Sequence, residues 1–252
     1  MDVYFYYISP DYIEHLKAIE HKKRGFTCVP NVQYGLSKKF TYGAVMNING
    51  INYFVPVSSY NKQQKDLMLL KDKKDNKVLG SLRFNYMIPV PLQCVKKVDI
   101  NSLDENKKVK TSKELAFCRR NRDAIPRKAA VTYERVNRNI QAFNSGDKKL
   151  LDEDLYKNSC DFKLLENAYI IYCHDNDLPL SEELQKKYAE ITGEQPPKKT
   201  AVANQTSAQE SEKPQGFSFS VAEMKRNVKR VHEKHENDSV PAKQKNKNNH
   251  NL

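Results

Sequence analysis

The sequence predicts an α+β domain followed by a disordered tail, and three observations carry that prediction. Apolar, β-branched and aromatic runs recur through residues 3–95, two of them joined by Asn49-Gly50. Apolar residues at helical spacing occupy residues 12–19 and then recur between 111 and 192. From residue 193 onward the apolar residues give way to Pro, Lys, Ser, Gln and Glu.

Residues 3–8 form the first expected strand, β-branched and aromatic. Ser9 and Pro10 open a helix, since serine suits the N-cap and proline the first helical position. Its apolar face is Tyr12, Ile13, Leu16 and Ile19. Residues 22–39 read as a polar, basic loop. Strands over 41–48 and 52–57 flank Asn49-Gly50, a strong hairpin signal because both residues tolerate positive φ. Residues 61–77 read as a loop or short helix. Two strands are expected over 78–86 and 87–95, the second broken or set at an edge by Pro89 and Pro91. A helix is expected to start near Thr111 or Ser112 and run toward Ala124, with Pro126 interrupting it or opening another over 127–143. An apolar helix over 160–173 turns Phe162, Leu165, Ala168, Tyr169 and Tyr172 inward, and a short helix follows near 181–192. The domain is thus assigned to residues 1–192. The tail from 193 to 252 has little to bury, apart from an amphipathic stretch over 220–236 headed by the capping-box pair Ser220 and Glu223.

The 252 residues carry a net charge of +12, with a pI near 9.3 and a mean hydropathy of −0.79. Such a balance favours a polyanionic partner, nucleic acid or an anionic surface. No apolar run is long enough to span a bilayer, and Asp2 is out of place in a secretory leader. Cys28, Cys94, Cys118, Cys160 and Cys173 are odd in number and scattered, which suits a reduced, cytoplasmic setting. No helix-turn-helix or zinc pattern points to a DNA-binding regulator.

The segment Tyr53-Phe54-Val55-Pro56-Val57-Ser58-Ser59-Tyr60-Asn61-Lys62 is where chemistry is expected. A strand end holds side chains still and leaves them accessible. Two hydroxyls and an ammonium suit a phosphate. Serine is also a common turn residue, and from composition alone that structural reading of Ser58 and Ser59 stands ahead. The domain shows no tight Asp/Glu/His constellation for a metal: His15, His21 and His174 are isolated, and His232 and His235 lie in the basic tail. No cofactor is expected. RNA cleavage would suit such a site, because the substrate supplies its own 2′-hydroxyl nucleophile. Lys38, Lys39, Arg119, Arg120 and Arg122 are candidates for RNA-backbone contact, or else a solvated basic surface.

The whole pattern resembles the ToxN/AbiQ family, the toxin endoribonucleases of type III toxin–antitoxin systems. The resemblance runs in order over residues 3–172. It includes Ser9-Pro10-Asp11-Tyr12-Ile13, Val29-Pro30-Asn31, the strand ending in Pro56-Val57-Ser58-Ser59, and Leu79-Gly80-Ser81-Leu82. It continues through Phe84-Asn85-Tyr86-Met87-Ile88-Pro89-Val90, through Lys113-Glu114-Leu115-Ala116-Phe117 with Arg119, Arg120 and Asn121, and through Cys160-Asp161-Phe162-Lys163-Leu164-Leu165-Glu166.

The resemblance implies a compact domain with a strongly bent antiparallel sheet flanked by helices. It implies metal-independent cleavage of RNA to 2′,3′-cyclic phosphate and 5′-hydroxyl ends. It also implies inhibition by a repetitive, pseudoknotted antitoxin RNA, which the toxin processes and with which it closes into a ring, cellular or phage RNA being the substrate. No membrane partner is expected. Ser58 and Ser59 would bond the scissile phosphate and the 2′-hydroxyl, and Tyr34 would stack on a base or touch phosphate. The family's lysine follows its second serine by two residues. Here that offset falls on Asn61, with Lys62 one further and Lys65 next in line, as base or as phosphate clamp. The alternative is an RNA-binding protein of the same fold without catalysis.

Overall fold

The computed structural model describes residues 4–34 and 37–193, and for 33, 34 and 37 the backbone only. The tail and the helix expected over 220–236 lie outside the described residues. The strands are β1 (Tyr4–Ile8), β2 (Gln33–Tyr34), β3 (Ser37–Lys38), β4 (Thr41–Ile48), β5 (Ile51–Ser58), β6 (Leu67–Lys71), β7 (Val78–Arg83), β8 (Ile88–Pro89) and β9 (Val95–Lys97). The helices are α1 (Pro10–Arg24), α2 (Glu105–Arg120), α3 (Ala124–Ser145), α4 (Glu153–Lys157), α5 (Phe162–Asp175) and α6 (Glu182–Thr192). Helices and an open antiparallel sheet make this an α+β fold, as the sequence predicts. The main sheet runs β6-β7-β5-β4-β1-β9, with β8 also pairing β5.

β5 is the strand on which the rest is hung. Asn49 and Gly50 both take positive φ, 50° and 86°, and turn β4 tightly into it. On its other side β8 meets Tyr53 and Phe54, and β7 meets Val57 and Ser58. The interior position of Pro56 has a simple explanation. The amide of Val57 points toward β4, donating to the Phe40 carbonyl at 3.0 Å. Pro56 therefore presents its missing N–H to the opposite side, where the ladder breaks between β8 and β7. The buried Tyr53 ties β5 to α5, its hydroxyl donating to Glu166 Oε1 at 2.9 Å. Tyr12 does the same for α1 and β8, donating to the Pro89 carbonyl at 2.6 Å.

Several expectations need correction. The stretch 61–77 contains β6, which pairs with β7. Its apolar Leu67–Leu70 core is short and hemmed by charges, so the pattern is legible only beside its partner. The single strand expected over 87–95 is instead two short pieces around a 3-10 turn, because Pro89 and Pro91 withhold donors. β9 then crosses to the far edge of the sheet and pairs β1. α2 begins at Glu105, not near residue 111. Asp104 caps it by accepting from the Lys107 amide at 3.0 Å, and its first turns are solvent-facing and so lack apolar periodicity. Pro126 lies in the first turn of α3, where a missing N–H costs little. α1 continues to Arg24, and β2 and β3 pair with each other within the expected loop. α4 was not expected.

Glu114 on α2 is buried, and burial pushes its carboxyl up while Lys110, 3.5 Å away, partly opposes this. A folded-state pKa above the unfolded one means that stability falls as pH rises past the unfolded value of about 4.3, and stays lowered above the folded value. Thermal melts across pH should show that loss in the native chain. In Glu114→Gln the loss should be absent and the melting temperature at neutral pH higher.

Candidate active site

The end of β5 forms one wall of a cavity of about 400 Å³. Pro56, Val57 and Ser58 face it, together with the 27–32 segment that follows α1, residues 39–41 entering β4, Arg83 and Tyr86 beyond β7, and Lys157 and Asn158 closing α4. The lining holds three cations, Lys39, Arg83 and Lys157, and no carboxylate. Lys157 is paired with Glu153 at 2.9 Å, and the positive charge that remains on the lining favours an anion. Among the described residues no group of three or more His, Cys, Asp and Glu is arranged to hold a metal ion.

Buried polar residues hold the walls. Glu20 is fully buried at the inner face of α1. Its Oε1 accepts from Arg24 Nη1 and the Asp161 amide, both at 2.8 Å. Its Oε2 accepts from Thr27 Oγ1 at 2.8 Å, the Cys28 amide at 2.6 Å and the Val29 amide at 3.2 Å. Arg24 in turn donates to the Ser159 carbonyl at 2.8 Å and the Tyr156 carbonyl at 2.5 Å. One ion pair thus locks together the wall after α1 and the wall after α4. Asn85 adds a second link, its side chain donating to the Asn158 carbonyl and its own carbonyl accepting from the Cys160 amide at 2.9 Å.

Ser58 is half-buried, and its Oγ accepts from the Tyr60 amide at 3.1 Å. Ser81, paired opposite Ser58, donates its hydroxyl to the Tyr60 carbonyl at 2.7 Å. The turn after the strand is therefore pinned on both sides. Burial, reinforced by Glu20, pushes the Cys28 thiol up to about 11, so this cavity-lining cysteine stays protonated at neutral pH and is a poor nucleophile. Burial also raises the Tyr86 phenol, with Arg83 opposing.

Gly80 has no room for a side chain. A Cβ there would lie 2.6 Å from the Ser58 carbonyl oxygen and 3.1 Å from Glu114 Oε1. Gly80→Ala must therefore push β5 away from β7 just where Ser58 sits. It is expected to cost about 1–3 kcal/mol in a denaturant melt and to lower any activity that depends on Ser58.

Of the residues singled out in the sequence, the cavity gathers Ser58 and Lys39. Ser59 follows directly and is exposed, as are Asn61, Lys62 and Lys65. Lys62 does not line the cavity, and the Lys65 carbonyl accepts from Lys128 Nζ at 2.5 Å. Tyr34 is in β2, paired with Ser37, and its side chain lies outside the described residues. Lys38 is exposed, with Nζ 5.8 Å from the Tyr7 ring centre. Arg119, Arg120 and Arg122 are exposed at and just past the end of α2 and do not line the cavity. Sequence reasoning gave no chemical role to Arg83, Tyr86, Lys157 or Asn158. The one signal available was an arginine closing an apolar run in Leu82-Arg83-Phe84-Asn85-Tyr86.

The fold is α+β, and its cavity at a serine-bearing strand end is lined by cations and no carboxylate. Residues 4–170 match the family described as Toxin ToxN, type III toxin-antitoxin system, and the chain belongs to that family. Endoribonuclease AbiQ of Lactococcus lactis subsp. lactis is 28% identical over 186 residues, covering 68% of this chain and 90% of the relative. A solved structure of AbiQ, described as a lactococcal anti-phage endoribonuclease, is similar with a TM-score of 0.56 at 26% identity, over 69% of this chain and 99% of that one. Endoribonuclease ToxN of Bacillus thuringiensis subsp. kurstaki is 30% identical over 167 residues, covering 64% of this chain and 80% of the relative. A solved structure from a type III toxin-antitoxin system, reported for selective toxin inhibition by a non-coding RNA pseudoknot, is similar with a TM-score of 0.56 at 27% identity, over 68% of this chain and 98% of that one.

Proposed function

We propose that this chain is the toxin of a type III toxin–antitoxin system, an endoribonuclease that cleaves RNA without a metal ion and is silenced by a repetitive, pseudoknotted antitoxin RNA. The observation that carries the reading is the cation-lined, carboxylate-free cavity at Ser58 in a chain of this family. The 2′-hydroxyl of the substrate attacks the adjacent phosphorus. The O2′–P bond forms and the P–O5′ bond breaks, leaving a 2′,3′-cyclic phosphate. The 2′ proton is removed and the departing 5′ oxygen takes up a proton, so the second product is a 5′-hydroxyl. Ser58 and Ser59 bond the scissile phosphate and orient the 2′-hydroxyl, which is positioning and charge stabilisation rather than covalent catalysis. Lys62 reaches the phosphate from the exposed turn, and Tyr34 stacks on a neighbouring base. Lys38, Lys39, Lys65, Arg119, Arg120 and Arg122 contact the RNA backbone.

Residues 1–192 form the catalytic unit, and the work is done in the cytoplasm. Processing of the antitoxin by the same site releases repeats that bind back and close a ring of toxin and RNA. The relatives' anti-phage setting supports a role in abortive infection. The DNA just upstream of the gene should carry short tandem repeats followed by a terminator.

The test is to incubate the purified chain with single-stranded RNA in the presence of EDTA and map the ends. Cyclic phosphate and 5′-hydroxyl ends are expected, and a single 2′-deoxy substitution at the cleaved position should block the cut. Cleavage that persists at the deoxy position, or that needs added metal, sinks the mechanism. A non-catalytic RNA-binding protein is the second reading, favoured by Asn61 standing at the lysine offset and by Lys62 not lining the cavity. It predicts salt-sensitive RNA binding with no cleavage at all.

A further inference from the structure

Arg83 is the cation in the cavity whose own surroundings leave a donor open. Its guanidinium carbon lies 4.0 Å from the centre of the Tyr86 ring and 5.5 Å from that of Tyr60. Two aromatic rings therefore hold the group in place at the end of β7. Two other half-buried arginines are neutralised: Arg24 pairs with Glu20 at 2.8 Å, although its own Nε also lacks a partner, and Arg135 pairs with Asp66. No carboxylate pairs with Arg83 among the described residues. Its Nε is buried and makes no hydrogen bond. An open donor on a buried cationic atom costs free energy unless a ligand completes it. Of the other charges on the cavity, Lys157 is paired with Glu153 at 2.9 Å and Lys39 has the same sign as Arg83, so an anion is the ligand this site favours.

The register brings Arg83 to the serines. Ser58 pairs with Ser81, and Arg83 stands two residues further along the same strand, so its side chain leaves the same face of the sheet. Arg83, Ser58 and Pro56 line one cavity. A guanidinium offers a planar fork of donors matched to two oxygens of one phosphate, which an ammonium does not.

We propose that Arg83 is a catalytic residue that grips the non-bridging oxygens of the scissile phosphate and stabilises the charge that gathers there in the pentacoordinate transition state. It supplies from the scaffold a fixed cation beside Lys62, which reaches in from an exposed turn. Because Tyr86 and Tyr60 already hold the group, little reorganisation accompanies the reaction. The proposal rests on the RNA-cleavage reading.

The test uses the full chain and a short single-stranded RNA that the wild type cuts. Arg83→Gln keeps most of the stem and removes the charge. It is expected to lower kcat by about 100-fold or more, with a smaller change in KM and a melting temperature near wild type. Arg83→Lys should recover part of the rate. Added guanidinium ion, below denaturing concentration, should recover part of the rate in Arg83→Ala but none in Ser59→Ala. If Arg83→Gln cuts at the wild-type rate, the proposal is overturned while the RNA-cleavage reading stands. It is also overturned if the lost rate follows lost folding across all three variants and guanidinium restores nothing, since Arg83 is then structural. A wild type that cuts no RNA overturns the RNA-cleavage reading and this proposal with it.

Discussion

Glu20→Ala should cost about 3–5 kcal/mol of stability from breaking a buried ion pair, and so lower the melting temperature and the urea midpoint sharply. Domains of this size hold roughly 5–15 kcal/mol in all, so the loss is a large share. The cause is an acceptor count. Two carboxylate oxygens receive Arg24, the Asp161 amide, Thr27 Oγ1 and the amides of Cys28 and Val29. Alanine leaves all five donors buried without that partner and leaves the Arg24 charge without its counter-ion. Glutamine is not a rescue. Whichever way its amide is turned, an NH2 group faces donors that need an oxygen. Urea titration of the two variants checks the claim. Wild-type midpoints for both would show that the ion pair is dispensable. Near-normal stability with a lost cavity would be equally unexpected, because the same contacts hold both walls.

Ser58→Ala is expected to reduce RNA cleavage by about 10²–10³-fold, the usual consequence of deleting one preorganised group that stabilises transition-state charge. Ser58 also accepts the Tyr60 amide, so its loss should lower the melting temperature by a few degrees, for about 1 kcal/mol. Ser59→Ala provides the contrast. Ser59 is exposed and adjacent, so its variant should lose cleavage with the melting temperature unchanged. Single-turnover rates alongside thermal melts separate the two effects. Wild-type cleavage by both variants would remove the serines from the mechanism.

Short-range patterns in the sequence carried a good deal of this fold. Asn49-Gly50 between two apolar runs specifies a turn by backbone conformation alone, and β4 and β5 have the expected extents to within a residue. α1, α5 and α6 also lie close to where apolar spacing and caps put them. The failures have local causes. β6 is short and flanked by charges, and the first turns of α2 are polar, so neither has a period to detect. The region after Met87 looked like one strand, although its prolines divide it between β5 and β1.

The sequence by itself determined the β4–β5 hairpin, the positions of α1, α5 and α6, and that a serine pair ends a strand in a strongly basic chain. These are local properties, set by side-chain period, turn chemistry and charge. The tertiary structure decided which side chains meet. Residues 27–32, 83–86 and 157–158 converge on Ser58 through the pairing of β7 with β5 and the Glu20–Arg24 hub, across separations of tens of residues or more. No local pattern encodes such convergence, because it follows from sheet order and from where buried polar groups find partners. That is why Ser58 stood out in the sequence and Arg83, which lines the same cavity, did not.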